Sequence, residues 1–434
     1  MTTQSDSRDE HKSLLDRMYE QEHIVITASL EIANGHFLQP TGFPDIDACI
    51  YRDKEGKRWC LVESEQSMTN RLEAVCMKSP GVWIDDLKGL PVIAVRNKDG
   101  DLLTTNLTEP HRIASSYVLD GKRDDNKEMK SLFEQKLGLK NGGDFWPLDK
   151  RSDLEKLVFA LDPGALLHGF QFVQWKFVGL RQTRLVHARL EAELADESEV
   201  NYGMVKWDAI EPESTQEKRA NKGQSIAAKS RIVPKEIAAT FEIDVLGLKN
   251  LALEELQKKF LLGLALWKVG AFLNNKPSFD ARSRQTGPSL RLRSDCYLRC
   301  GSISWSGSPG TDGAEDEKLE ANKLMAALPT GFKGGNGNSE SSATSTSDDQ
   351  HLDFRSLVAQ KLKDDKKSDA ASEPESGKRA TGEETEPTAG KREPFYDGPV
   401  VEVTYEPKPK KERGAGAQPQ ATAADDGPAD DQQG

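Results

Sequence analysis

Chemistry in this 434-residue chain is first suspected at Leu107–Val118, LTEPHRIASSYV, where Glu109, His111 and Arg112 stand close together. A carboxylate beside an imidazole is the raw material of a general acid/base pair or of a metal site. The spacing supports neither. Pro110 pushes Glu109 out of the α region, so the three side chains do not share a helix face. No second His follows at i+4 and no carboxylate cluster adjoins, so no metal or cofactor is expected. The plain alternative is a loop whose His and Arg satisfy backbone carbonyls. Five cysteines (Cys49, Cys60, Cys76, Cys296, Cys300) include no CxxC pair and are odd in number, which reads as reduced cytoplasmic thiols.

What the sequence does offer is contact with phosphate. Arg181 and Arg184 enter the alternating segment Leu180–Glu193, LRQTRLVHARLEAE, where two guanidinium groups suit successive phosphates. A solvated pair is the alternative. Residues 216–236 carry a local charge of +4, with Arg231 and Lys235 among the cations, and residues 276–300 carry another +4, with Arg291 and Arg293. The first segment is expected to be a basic arm able to clamp a nucleic-acid backbone, or else a solvated loop. His168 is followed by Phe170, Phe172, Trp175 and Phe177. Rings at that density belong to a core more often than to a base-stacking platform.

The chain is organised around Leu61–Met77, LVESEQSMTNRLEAVCM. Met68, Leu72 and Val75 fall on one helix face and Gln66, Asn70 and Glu73 on the other, so a core face opposes a polar one. Ser64 stands where an N-cap is wanted, and Glu65 comes next in the first turn, where a carboxylate suits the helix dipole. An ordinary amphipathic surface helix is the alternative. Asn is a poor helix former, and the apolar face alone anchors the helix. Gln66, Asn70 and Arg71 are therefore expected to serve function, with melting little affected by their loss.

LVESEQSMTNRLE resembles the signature L-[IV]-[DE]-S-x-Q-S-x-x-N-R-x-E of the RAMP-type backbone subunits of type I-U (also called I-G) CRISPR surveillance complexes, the Cas-seven role. The segment from Asn106 to Ser115 resembles the family's S-L-T-E-x-H-R-x-A-S, with Asn106 in place of the first Ser. Residues 181–192 resemble its R-x-x-R-[AL]-[LV]-x-A-x-[IL]-E-A, which comes after a Gly-aromatic segment, and LRLRSDCYL resembles its closing strand. The likeness spans roughly Ile24–Leu298. It implies an α+β, RRM-like (ferredoxin-like) sheet core with long insertions, in a non-enzymatic subunit that multiplies along CRISPR RNA and presents the spacer for pairing with target DNA. Implied partners are CRISPR RNA, target DNA through the guide, further copies of the chain, a large subunit and a subunit that processes the RNA precursor. The candidate RNA-facing residues are Gln66, Asn70, Arg71, His111, Arg112, His168, Arg181, Arg184, Arg231, Lys235, Arg291 and Arg293.

These residues must be held by elements with readable periods. His23–Ala33, Val186–Ala192 and Ile237–Leu246 alternate as half-buried strands. Gly89–Arg96 and Asn201–Ile210 read as further strands, Glu128–Leu137 and Ser152–Leu161 as helices, and Leu251–Asn274 as a long helix with so broad an apolar face that other elements must cover it. A loop, Asn34–Asp47, holds Asp45 and Asp47, and residues 120–149 and 211–236 read as insertions. The first 22 residues are expected to be flexible.

Of the net charge of −12, residues 301–434 carry −10, so the acidic balance belongs to the tail and does not exclude a nucleic-acid partner for the core. From residue 306 the composition is too poor in apolar residues to offset chain entropy, and most of it is expected to be disordered. His351–Leu362 and Pro399–Tyr405 are expected to order on a partner. No run is apolar enough for export or a membrane span. Two rival functions remain: a RAMP-type metal-dependent ribonuclease acting on target RNA, or an RNA-binding adaptor outside CRISPR.

Overall fold

In the computed structural model, the described residues are 12–43, 47–139, 150–175, 180–201, 207–209, 223–225, 230–280, 285–292, 296–308, 317–329, 352–363 and 398–407. Arg293 and Phe177 lie outside them, as do Asp45 and residues 216–222 and 226–229 of the basic segment 216–236.

The alternating segments pair as antiparallel strands of one seven-stranded sheet. In chain order its first members are β1 (His23–Ile32), β2 (Ile50–Arg52) and β3 (Arg58–Glu63). The next two strands, β4 (Val92–Arg96) and β5 (Leu102–Thr105), belong to a smaller sheet. The large sheet then resumes with β6 (Val186–Asn201), β7 (Ser230–Asp244), β8 (Leu298–Ser306) and β9 (Glu317–Leu319). Spatial order is β9-β8-β1-β7-β6-β3-β2. Helix α2 (Glu65–Ala74) precedes β6, and helix α6 (Glu255–Leu273) joins β7 to β8. The core thus reads β1-α2-β6-β7-α6-β8 with strand order 4-1-3-2, the ferredoxin-like arrangement. The α+β expectation holds.

Alternation explains which face is covered. Ile24, Ile26 and Ala28 of β1 lie across from Ile243, Phe241 and Ala239 of β7, which lie across from Val186, Ala188 and Leu190 of β6, and all of these are buried under the helices. Every residue of α6 from Phe260 to Leu273 is buried, each large side chain contributing about 1.5–3 kcal/mol. The opposite face carries Thr27, Ser29, Thr240 and Arg189, the last bridging Glu191 at 2.9 Å and Glu242 at 2.6 Å. Among the described residues, that face of β1, β6 and β7 bears no Phe, Tyr or Trp of the kind RRM sheets use to stack bases.

Between α2 and β6 lies the large insertion. It holds α3 (Met129–Lys136), α4 (Arg151–Leu161), α5 (Pro163–His168) and the strands β4 and β5. The helix expected to end at Asp162 does end there, but Asp162 then caps α5, with Pro163 in its first turn.

Several expectations are corrected. The N-terminal stretch is not uniformly loose: α1 (Leu14–Glu20) is capped by Ser13 and buries Met18. Arg231 and Lys235 lie on strand β7 and not in a loop, because β7 begins at Ser230. The closing strand starts at Leu298, later than LRLRSDCYL suggests.

The tail is also folded where it is described. Helix α7 (Ala321–Ala326) lies against α6 so closely that a Cβ at Gly270 would stand 2.6 Å from the Ala321 carbonyl oxygen. Helix α8 (Phe354–Lys363) drives Phe354 between Phe159 and Phe260, with centroids 5.4 and 5.5 Å away. Strand β10 (Val400–Thr404) pairs in parallel with β4 from Val92 to Arg96. The two segments expected to order on a partner therefore order on the chain's own core. Apolar stripes decide this: Phe354, Val401 and Val403 are buried there.

Candidate nucleic-acid interface around the signature helix

Helix α2 forms as its sequence requires. Ser64 Oγ accepts from the Ser67 N–H at 3.3 Å, and Met68, Leu72 and Val75 are fully buried. Its charged residues do something the periodicity did not reveal: Glu65, Arg71 and Glu73 tie remote segments together.

Glu63, 2% exposed, accepts from the Ser67 hydroxyl and from Arg71 Nε at 3.1 Å and Nη2 at 2.5 Å. The remaining Arg71 nitrogen, Nη1, donates to the carbonyls of Ser289 and Arg291 at 3.2 and 2.9 Å. Arg71 thus fastens the basic 289–291 segment to the helix. At the first turn, Glu65 Oε2 accepts from Arg184 Nη1 at 2.9 Å and lies 3.2 Å from His187 Nδ1. At the last turn, Glu73 holds Arg112 through both carboxylate oxygens.

Arg112 is only 9% exposed and adopts φ +53. Its Nη1 donates to the Gly169 carbonyl at 3.1 Å. Gly169, at φ +80, lies against the backbone of residues 182–184, where a Cβ would meet the Gln182 carbonyl oxygen at 3.0 Å, so that position needs glycine. Segments 109–115, 169 and 181–187 are in this way drawn around one helix. The Glu109–His111 pairing does not form: the Glu109 oxygens accept from Thr104 and Ser115 hydroxyls, both at 2.7 Å.

Beneath Arg112 lies a pocket lined by Glu73, Cys76, Asn106, Asp162 and Lys268. Asp162 accepts from the N–H groups of Ile113 and Ala165, both at 3.2 Å. Burial nevertheless pushes its carboxyl up to about 6, against the nearby Asn106 amide and the Arg112 charge. Burial likewise raises the Cys76 thiol to about 11, which makes it inert. His168 is 3% exposed, and its Nε2 accepts a hydrogen bond from Lys268 Nζ at 2.7 Å. Burial, with the Lys268 charge next, holds His168 well below its ordinary pKa, hence neutral.

The geometry sorts the candidates. His168 and Arg112 are interior, so the expectation that they face RNA is corrected for both. Arg71 is a structural tie, because folding gives a buried carboxylate its counter-charge there. Gln66 is exposed, and among the described residues its side chain makes one long hydrogen bond, 3.4 Å, to Asn70. His111 and Arg181 are exposed. Arg184 is half-tied, with its Nε lacking a partner among the described residues. Lys235 meets Glu193 at 2.8 Å, Arg231 lies 4.8 Å over the Phe37 ring and Arg291 5.9 Å over that of Tyr297. Phe170, Phe172 and Trp175 are core, packed among themselves and with Phe133 at 5.1–6.1 Å.

Sequence reasoning missed the anchoring carboxylates. Glu63 and Glu73 stand in the signature itself, ten residues apart, and a buried acid in a motif that also keeps an Arg was the signal available.

The model of a family described as CRISPR-associated protein GSU0053 matches residues 24–197, a span that contains α2 and all the segments tied to it except 289–291. No curated protein matches this chain. Among solved structures, it is similar to Csc2 of Thermofilum pendens, with 12% identity over 72% of this chain and 83% of that one, at a TM-score of 0.28. It is also similar to a chain of a CRISPR RNA-guided surveillance complex, pre-nicking, with 12% identity over 81% and 89%, at a TM-score of 0.25. Superpositions that loose transfer no residue roles to this chain.

Proposed function

We propose that this chain is the guide-RNA-binding backbone subunit of a CRISPR surveillance complex, in the Cas-seven role, and of the I-U (I-G) type its signature resembles. Copies line up along the CRISPR RNA and hold the spacer for pairing with target DNA, which leaves sequence discrimination to the guide. The subunit supplies charge and shape without cutting. The large subunit and the subunit that processes the RNA precursor are its further partners.

One observation carries the reading. Within the family-matched signature, Glu63, Ser64, Ser67, Arg71 and Glu73 are consumed by internal bonds, whereas the Gln66 and Asn70 amides reach the surface and meet each other at 3.4 Å. Surface amides that do nothing for the fold are suited to ribose and phosphate oxygens. Arg181 and His111 add exposed donors, and Lys235, Arg231 and Arg291 add charge, to which the sequence adds Arg293.

The test is binding of the full chain to single-stranded guide RNA across a salt series. Affinity should fall steeply with salt, and replacing Arg231, Lys235, Arg291 and Arg293 by Gln should flatten the log–log slope by up to about 3. The double variant Gln66→Ala/Asn70→Ala should melt as the parent does and lose assembly on RNA. Unaltered assembly in that variant would return α2 to a purely structural role. Scission of complementary RNA with added divalent metal would favour the ribonuclease reading instead.

A further inference from the structure

Three carboxylates of the signature segment hold an arginine each, and they differ in how far water reaches them. Glu63 with Arg71 and Glu73 with Arg112 are sheltered pairs, in each of which one side chain is no more than 10% exposed. The third pair stands at the surface: the Glu65 side chain is 47% exposed and that of Arg184 22%. An exposed pair contributes little to stability and exchanges readily with other charges.

Nor does the fold need this third pair. Arg184 is fixed through its backbone: a Cβ on Gly169 would stand 3.1 Å from Arg184 N, and the neighbouring Leu185 N–H donates to Leu167 O at 2.9 Å. His187 is fixed in β6, across from Glu242 of β7. Among the described residues, Glu65 Oε2 is the only hydrogen-bond partner of the Arg184 guanidinium, at 2.9 Å, and of the His187 ring, at 3.2 Å. Both side chains can therefore change partner with no movement of the main chain.

A carboxylate oxygen shared by a guanidinium and an imidazole lies where the same two groups would hold a phosphate oxygen. The pair also adjoins the surface amides. Glu65 directly precedes Gln66 in α2, both exposed, and Arg184 follows the exposed Arg181 by one short loop.

We propose that Glu65 stands in for a phosphate: Arg184 and His187 form a phosphodiester site that the free chain fills with its own carboxylate, and an RNA phosphate enters it by swinging Glu65 out to solvent. The device lowers the affinity of a free copy for stray RNA, because a phosphate admitted there must first displace a carboxylate already bound. It deepens the backbone-subunit reading and rests on it for the identity of the polyanion.

The test measures binding of the full chain, at one fixed low salt concentration, to a short single-stranded RNA and in parallel to inorganic tripolyphosphate. Glu65→Gln leaves every buried group as it was and should melt as the parent does. It should bind both ligands about three- to fivefold more tightly, the strength of an exposed ion pair. In an Arg184→Gln/His187→Gln background there is nothing to release, and the same substitution should change either affinity by less than about twofold. Arg184→Gln alone gives the comparison if the double background melts lower. Equal tightening in both backgrounds would trace the effect to a general loss of negative charge and overturn the proposal, as would unchanged binding by Glu65→Gln. Tripolyphosphate binding that depends on Glu65, with no binding of RNA, would leave the phosphate site standing and sink the backbone reading. RNA binding indifferent to Glu65 would do the reverse, and no binding of either ligand by any variant would sink both.

Discussion

At the scale of single residues, the signature helix divides into side chains that hold and side chains that are left over. Arg71 holds: its guanidinium neutralises Glu63, whose side chain is 3% exposed, and fixes two carbonyls across the fold. Arg71→Ala leaves a buried carboxylate uncompensated, a change that costs about 3–5 kcal/mol. Its unfolding midpoint should drop by many degrees in thermal denaturation, unlike that of Gln66→Ala/Asn70→Ala. Asp162 carries a pH signature of its own. Its folded pKa of about 6 stands above the ordinary 3.8, so the folded state binds this proton more tightly than the unfolded one. Stability from this group is therefore complete below about pH 4 and is lost as pH rises through about 6, by on the order of 3 kcal/mol. Asp162→Asn should flatten the stability profile over that window in urea titrations; an unchanged profile would remove Asp162 from the account.

At the scale of elements, close approach matters more than periodicity. Helix α6 is apolar all round because α2, α7 and the sheet surround it, and Gly263 and Gly270 stand where neighbours touch its backbone. A Cβ at Gly263 would meet Pro329 Cδ at 2.6 Å. Helix α8 docks through one ring. Phe354 is fully buried and makes a triad with Phe159 and Phe260, themselves 6.1 Å apart edge to face. Phe354→Ala should cost about 3–5 kcal/mol, including the cavity it leaves. Limited proteolysis should then cut near residue 350 sooner than in the parent. Equal cutting in both would mean that α8 is not held by that ring.

At the scale of the whole molecule, the described segments of the tail are part of the fold. Removal of residues 306–434 strips β9 from the main sheet, α7 from α6, α8 from α4 and β10 from β4. It also takes Leu324, Phe354 and Val403, each no more than 1% exposed, out of the core. A chain ending at Trp305 should unfold at a markedly lower temperature and with less cooperativity than the parent. One ending at Pro407 keeps α8 and β10 and should melt as the full chain does. The reverse ranking in calorimetry would show that the described tail segments contribute nothing. No helix among the described residues is long and apolar enough to cross a membrane.

Short-range periodicity let the sequence by itself determine the local elements. Alternation in His23–Ile32 and Val186–Ala192 assigned the buried face of each strand, and i, i+4, i+7 spacing placed Met68, Leu72 and Val75 in the core. Ser64 announced its own cap. The signature, too, was legible as a string of residues. The role of each of its polar residues was decided only in three dimensions, since Glu63, Glu73, Arg71 and Arg112 find partners up to 220 positions away, and no local rule pairs a charge with a carbonyl that distant. His168 looked as available as His111 for the same reason: exposure depends on what the rest of the chain lays over a residue. The two tail segments expected to order on a partner were misassigned because low mean hydropathy is an average, while docking depends on a few apolar side chains, Phe354, Val401 and Val403, that meet grooves built by residues far earlier in the chain.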